Sequence, residues 1–241
     1  MNNSSIYRNE DFSQRYDRNR YGRRFGRYLE DLEASVFLSL IDPACSIILD
    51  LGAGTGKLTI PLLLASKEVI AADNSPEMLG VAKVKADELG LNIKAVVCDA
   101  QRLSFKDGAF DCVVSSRTLM HLGDWREGVQ EICRVSSREL VIDFPCIFSF
   151  ASADIFLKKL KRLFRTETRI YNIYSVKDVS EEIMKNGFRV IHSEKQFLMP
   201  LAFHRLLNHP AISIKIEEIF RIVHITDLIG NPIVIKAVKD V

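Results

Sequence analysis

Cysteine is scarce and scattered. Cys45, Cys98, Cys112, Cys133 and Cys146 are the five in 241 residues, and no two form a C-x-x-C pair. That excludes a disulfide framework or a zinc ribbon and points to reduced thiols in a cytoplasm. Net charge is as sparse. Thirty-three basic against 31 acidic residues leave a formal +2, so nothing in the total calls for nucleic acid. No apolar run approaches the roughly 20 residues of a membrane span, and residues 1–5 carry no apolar signal-peptide core. There is no internal repeat and no low-complexity stretch. What is present, 47% hydrophobic residues, suits a sizeable core in one large domain or one domain with insertions.

The densest information lies at residues 47–56, IILDLGAGTG. An apolar, β-branched run meets Asp50 and then glycines at alternate positions, Gly52, Gly54 and Gly56. This reads as a buried strand entering a tight loop where backbone passes close to a ligand. An apolar helical pattern, 57–65, follows. A phosphate-cradling P-loop needs G-x-x-x-x-G-K-[ST]; here Leu58 follows Gly56-Lys57, and Leu51 stands five before Gly56, so that motif fails twice. The dinucleotide fingerprint G-x-G-x-x-G fits poorly, because the third glycine comes one place early. A plain strand-turn-helix with packing glycines is the bland alternative.

Asp50-Leu-Gly52-Ala53-Gly54-Thr-Gly56 resembles the first motif of the class I S-adenosylmethionine (SAM) methyltransferases. The resemblance spans roughly residues 45–145, with weaker agreement toward the C-terminus. It implies a loop lying against the methionine and ribose parts of SAM, with Asp50 supporting the loop and the amino group. Two more apolar runs end in acids. Residues 69–73 end at Asp73, with Asn74 next, and an acid there accepts from ribose hydroxyls in α/β nucleotide folds. Residues 93–99 end at Asp99, with Ala100 next; in the family this acid accepts from the adenine amino group and the following amide meets a ring nitrogen. Ser75 reads as a helix cap with Pro76 at the first helical position. Met78 serves either the adenine or the core. Residues 110–122 resemble the family's fourth-strand region, placing Ser116 beside cofactor and Arg117 beside acceptor.

Strands and helices alternate, which predicts a Rossmann-like doubly wound α/β sheet with helices on both faces. The family implies seven mostly parallel strands with a final antiparallel one. Residues 138–144 read as the fifth strand, ending at Phe144, a candidate acceptor contact. Residues 175–187 form a helix with a capping box at Ser175 and Asp178 and a terminal Gly187. Residues 188–197 and 232–238 are the last two strands, whose pairing the sequence does not show.

The expected organisation is an N-terminal lid of helices over 1–40 and a SAM-binding domain over 41–241, with insertions at 146–174 and 200–230. In the lid, Arg15, Arg18, Arg20, Arg23, Arg24 and Arg27 alternate with aromatics, and positions 21, 25, 28/29, 32 and 36 have helical spacing. Tyr16-Asp17 resembles a Tyr-Asp pair on the family's lid, which makes Tyr16 a cofactor contact. A solvated basic face on a packing helix explains the arginines equally well. The interspersed acids argue against nucleic acid. In the first insertion, residues 156–165 form an amphipathic basic helix, either a cap or, through 156–169, a peripheral contact with an anionic membrane. In the second, Phe203, His204 and Arg205 line the acceptor site or simply pack.

Methyl transfer asks little of side chains, since positioning supplies much of the acceleration. His121 is placed as a base if the acceptor must lose a proton, or as pocket wall. The expectation is therefore a cytoplasmic enzyme that converts SAM to S-adenosylhomocysteine (SAH), uses no metal and methylates a small or lipid-like acceptor. The sequence carries no signal for an oligomeric state. Rivals are an RNA methyltransferase, an NAD(P)-dependent oxidoreductase and a SAM-binding regulator. No Asn-Pro-Pro-Tyr or Asp-Pro-Pro-Tyr follows the fourth strand, as in amino-directed DNA and glutamine enzymes. Pro145-Cys146 resembles a cytosine-C5 nucleophile but follows the fifth strand. The nearest group holds the quinone-biosynthesis methyltransferases, and Val135-Ser-Ser-Arg138 departs from that group's proline-glycine-glycine turn.

Overall fold

The computed structural model describes residues 12–16, 24–147, 172–199, 203, 204, 207 and 209–240. Asp17, Arg18, Arg20, Arg23 and Arg205, the basic helix at 156–165 and the membrane contact through 156–169 lie outside them.

A helical stretch at 12–16 comes first. The chain then runs α1 (Arg24–Leu40), β1 (Ile47–Leu51), α2 (Thr59–Leu64), β2 (Glu68–Asp73), α3 (Pro76–Glu88), β3 (Lys94–Val97) and β4 (Phe110–Ser115). A 3-10 turn (Leu119–His121), α4 (Trp125–Val135), β5 (Ser136–Phe144), α5 (Val176–Lys185), β6 (Phe188–Lys195), α6 (Pro210–Ile222), α7 (Ile225–Ile229) and β7 (Ile233–Lys239) complete it. The seven strands form one sheet in the order β3-β2-β1-β4-β5-β7-β6. β7 lies between β5 and β6 and is antiparallel to both. The expected α/β sheet is present, and the pairing of the two late strands is the one the family implies.

Strand alternation divides the core. Leu49, Leu51, Val113, Leu140, Ile142 and Phe144 point to one face, where Val129 and Ile132 of α4 and Val179 and Ile183 of α5 cover them. Ile48, Val69, Cys112, Val114 and Val141 point to the other, under Ala34 and Phe37 of α1 and Leu62 of α2. Ala71 meets Leu79, Ala82 and Ala86 of α3 on that side. Side chains on these strands are almost wholly withdrawn from water, as a sheet covered on both faces requires.

The local signals work with two exceptions. Ser75 caps α3, accepting from the Met78 N–H at 3.1 Å, with Pro76 in the first turn. Ser175 sits at the N-cap of α5, but its hydroxyl makes no capping bond. α2 begins at Thr59 rather than Lys57, because the glycine turn continues through Leu58. Lys57 therefore projects from a turn, which matters below.

Candidate active site

In an open parallel sheet, ligands sit beyond the carboxyl ends of the strands, where strand order reverses. Here that point lies between β1 and β4. The loop after β1 and the loop after β4 form its walls, and a cleft with an empty volume of about 1070 Å³ opens there. Asp50, Gly52, Ala53, Gly54, Asp73, Asn74, Met78, Asp99, Ala100, Ser116, Arg117, His121 and Tyr16 all line it. Residues far apart in the chain are thus brought together because each follows a parallel strand or covers that end. Gly56 is not on the cleft wall; it turns the chain toward α2, its N–H donating to Ala53 O at 3.0 Å.

The glycine loop is held from below. Asp73 accepts from Gly54 N–H at 2.8 Å through one oxygen and from Ser75 N–H at 2.9 Å through the other. Asp73 thus braces the loop as well as facing the cleft. Burial pushes its carboxyl up, and the N–H groups of Ser75, Gly54 and Asn74 oppose that. Gly54 has φ +55°, and a Cβ there would lie 3.6 Å from Met78 Cε. Met78, 4% exposed, is thus both core and cleft wall. Asp50, 2% exposed, accepts from Thr59 Oγ1 at 2.6 Å. Burial pushes its pKa up to about 6 against that bond and the nearby Lys57. Asp99 is exposed and accepts from Gln101 N–H at 2.9 Å.

On the β4 side, Arg117 adopts φ +57°, a conformation that non-glycine residues take only when their surroundings impose it. Asp143, fully buried at the end of β5, accepts from the Arg117 N–H and, at 3.2 Å, from Ser116 Oγ. The Arg117 guanidinium pairs with Glu33 of α1. Lys57 Nζ reaches Glu33 at 3.1 Å and donates to Ser116 Oγ at 2.7 Å. Sequence reasoning missed this cluster. One signal was available: Leu29, Glu33 and Phe37 are four apart on one face, exposed by 4%, 0% and 1%, so an acid interrupts the apolar stripe of α1. The expected stripe at 28/29, 32 and 36 is rotated from the buried one. Thr118, Cys98 and Leu122 also line the cleft, and the sequence does not single them out.

His121 lies in the 3-10 turn and lines the cleft. That turn is anchored from behind: Tyr174 Oη donates to Leu119 O at 2.7 Å, and Asn172 Nδ2 to Leu122 O at 3.1 Å. Both ends of the 146–174 insertion also meet here, Tyr174 N–H donating to Pro145 O at 3.0 Å.

The acceptor expectations at 144, 203 and 204 are corrected. Phe144 does not reach the cleft: it is fully buried, edge-on to Tyr174 at 6.2 Å, because alternation along β5 sends it to the α4/α5 face. His204 is fully buried and bonds Glu217 Oε1 at 2.8 Å, away from the cleft-lining residues. Phe203, at 37% exposure, packs on His204 and is not on the cleft wall. Glu217 also accepts from the Leu198 and Met199 N–H groups at 2.8 and 3.0 Å. Glu217→Ala strands three polar groups, so a loss of about 2–4 kcal/mol of stability is expected. SAH affinity of the folded fraction should stay within about twofold, since a packing role leaves the cleft intact. Thermal melts paired with calorimetry check both, and a lost affinity with an unchanged melt would return this cluster to the site.

Cys98 is the one cysteine on the cleft wall, and burial pushes its thiol up to about 11. Cys146 is 2% exposed and outside the cleft. Among the described residues no group of three or more His, Cys, Asp or Glu is placed to hold a metal ion, and no helix is long and apolar enough to cross a membrane.

Comparison with known proteins agrees with this geometry. Residues 48–139 match the family described as a methyltransferase domain. The demethylmenaquinone methyltransferase of Thermus thermophilus is 35% identical over 140 residues, covering 56% of this chain and 63% of its own. The ubiquinone/menaquinone biosynthesis C-methyltransferase of Pasteurella multocida is 33% identical over 136 residues, 53% of this chain and 45% of its own. The chain thus spans less than two thirds of these relatives. The magnesium protoporphyrin IX methyltransferase of Synechocystis, solved with bound SAH, shares the fold with a TM-score of 0.67 at 19% identity, over 99% of this chain and 100% of that one. With the glycine loop, the strand-end acids and the β7 insertion all in place, residues 48–139 match a methyltransferase domain, and the chain shares its fold with a methyltransferase solved with bound SAH.

Proposed function

We propose that this cleft binds SAM and that the protein transfers its methyl group to a small or lipid-like acceptor. The observation that carries the proposal is the convergence of Asp50, Asp73 and Asp99 on one cleft with a glycine loop whose closest approach leaves no room for a side chain. The residues suit the cofactor. Gly52 to Gly54 offer bare backbone, Asp73 a carboxylate for a diol, Asp99 and the Ala100 amide an edge for a purine, and Met78 an apolar surface. When bound, SAM supplies an activated methyl on sulfur, and transfer needs an acceptor in line with that bond.

The chain's own part is to hold the acceptor and exclude water. Arg117, His121 and Leu122 are the wall residues assigned to the acceptor end, and Tyr16 keeps its assignment as a cofactor contact. Where the acceptor is a phenol or an activated ring carbon, His121 is the group assigned to take the proton that leaves. The quinone-pathway names of the two relatives support a ring-bearing acceptor. Ser136-Ser137 at the start of β5, where that group has a proline-glycine-glycine turn, argues against assuming the same one.

Calorimetry with SAM, SAH and NADH tests the cofactor. Micromolar binding of SAM and SAH, with none of NADH, is expected; the reverse selects an oxidoreductase. Incubation with methyl-labelled SAM and a panel of demethylated quinols in detergent then tests transfer. Label entering the organic phase with stoichiometric SAH is the expected result. Binding without transfer to quinols, other phenols or amines would leave a regulator as the better account.

A further inference from the structure

Glu33 is a fully buried carboxylate that stands behind the cleft wall and comes from outside the glycine-loop and strand-end machinery. It bridges two cations from opposite walls: Lys57 from the turn after the glycine loop and Arg117 from the loop after β4. Both cations line the cleft, with side chains 12% and 13% exposed. Asp143 completes the cluster by holding the Arg117 backbone and the Ser116 hydroxyl. Two carboxylates and two cations leave the group neutral. Charge in a poorly hydrated site acts strongly over several ångströms, so this neutrality matters to any charged ligand nearby.

Resting on the cofactor assignment above, we propose that Glu33 is a positioning residue that, together with Asp143, neutralises the Lys57–Arg117 pair, so that the cleft accepts a ligand with net positive charge. SAM at neutral pH carries sulfonium, ammonium and carboxylate, a net of +1. SAH has lost the sulfonium and is net neutral. The two differ by one methyl and one charge at the same place. Their affinity ratio therefore reads the electrostatic role of Glu33, because a distortion away from the sulfur acts on both ligands alike. Lys57 also helps hold the ionised form of Asp50, so the cluster and the strand-end acids are electrostatically linked. The docking of α1 thereby sets the charge of the cleft, through an acid at a position where the stripe otherwise calls for Leu or Phe.

The test is calorimetry of the full chain with SAM and SAH separately, with a thermal melt of each ligand-free variant. Glu33→Gln keeps the shape and leaves the cluster at +1. SAM should weaken by about tenfold or more and SAH by about threefold or less. Lys57→Met leaves the cluster at −1 and should move the SAM-to-SAH ratio the opposite way. The Glu33→Gln/Lys57→Met protein is neutral again, and its ratio should return to that of the wild type even if both affinities are lower. Should Glu33→Gln not fold, the Lys57→Met and double-variant ratios carry the test alone. Equal weakening of SAM and SAH across the variants, whatever the melts show, would assign Glu33 a purely structural role and overturn the proposal. A wild-type chain that binds neither ligand would instead remove the cofactor assignment itself.

Discussion

Gly52→Ala is expected to weaken SAM and SAH binding by about 100-fold or more while the seven-stranded core still forms. Gly52 has φ +73°, and a Cβ built on it would stand 1.9 Å from Thr118 Oγ1 and 2.8 Å from Thr118 Cβ and Cγ2. No rotamer of Thr118 relieves a clash with its own Cβ. The two loops must part, and Thr118 must give up its bond to Leu51 O at 3.1 Å. Those loops are the walls of the cleft, so their separation acts directly on the ligand. The strands beneath are protected by their own ladders, and Gly52 N–H still reaches Ala72 O at 2.7 Å if the shift is confined above β1. The cause divides into two parts. The contact is removed in Gly52→Ala/Thr118→Gly, whereas the left-handed backbone is not, and alanine there costs about 1–2 kcal/mol. The double variant should thus recover part of the lost affinity. Calorimetry with circular dichroism of each protein decides it: full affinity in Gly52→Ala would mean that this loop does not touch the ligand.

Much of this site is legible in the sequence because parallel strands end at one edge. Asp50, Asp73 and Asp99 each close an apolar run, so reading three strands places three carboxylates at that edge. Glycines at alternate positions mark where backbone comes close. Phe144 is misplaced by the sequence reading although the alternation is there to see: Leu140, Ile142 and Phe144 share a face, and Asp143, between them, is the residue that points toward Ser116 and Arg117. His204 gives no local sign, since its partner Glu217 is thirteen residues on and in another helix. Pattern alone puts Lys57 in a helix, and the sequence reading does not single out Glu33. A charged residue is assigned to water by its type; the break Glu33 makes in the apolar stripe of α1 is visible in the sequence, but its cationic partners are set by tertiary contact.

The pH dependence of SAM affinity should be steep and should belong to Asp50. Its pKa stands near 6, raised chiefly by burial. An ordinary carboxyl titrates near 3.9, so the native state holds this proton more tightly than the unfolded chain does. The associated stability is fully present below about pH 4 and is lost as pH rises through about 6. At pH 8 the empty protein therefore carries an ionised, poorly solvated Asp50, strained by about 1–3 kcal/mol. Asp50→Asn keeps an acceptor for Thr59 and should raise the ligand-free Tm at pH 8, with the gain shrinking toward pH 5. Binding reverses the sign. An ammonium group on the ligand favours the ionised form, so wild-type affinity should fall as pH drops below about 6, by up to about tenfold per unit. Asp50→Asn should bind SAM more weakly at pH 8 and lose most of that pH dependence. Asp73, also raised by burial and facing Asp50, is the competing titration. Thr59→Val separates the two: it removes the 2.6 Å bond that lowers Asp50 and should move the inflection to higher pH. Calorimetry of the three proteins from pH 5 to 8 measures this. An inflection unchanged in Asp50→Asn would transfer the titration to Asp73, and a flat wild-type profile would show that neither acid changes its protonation when the ligand binds.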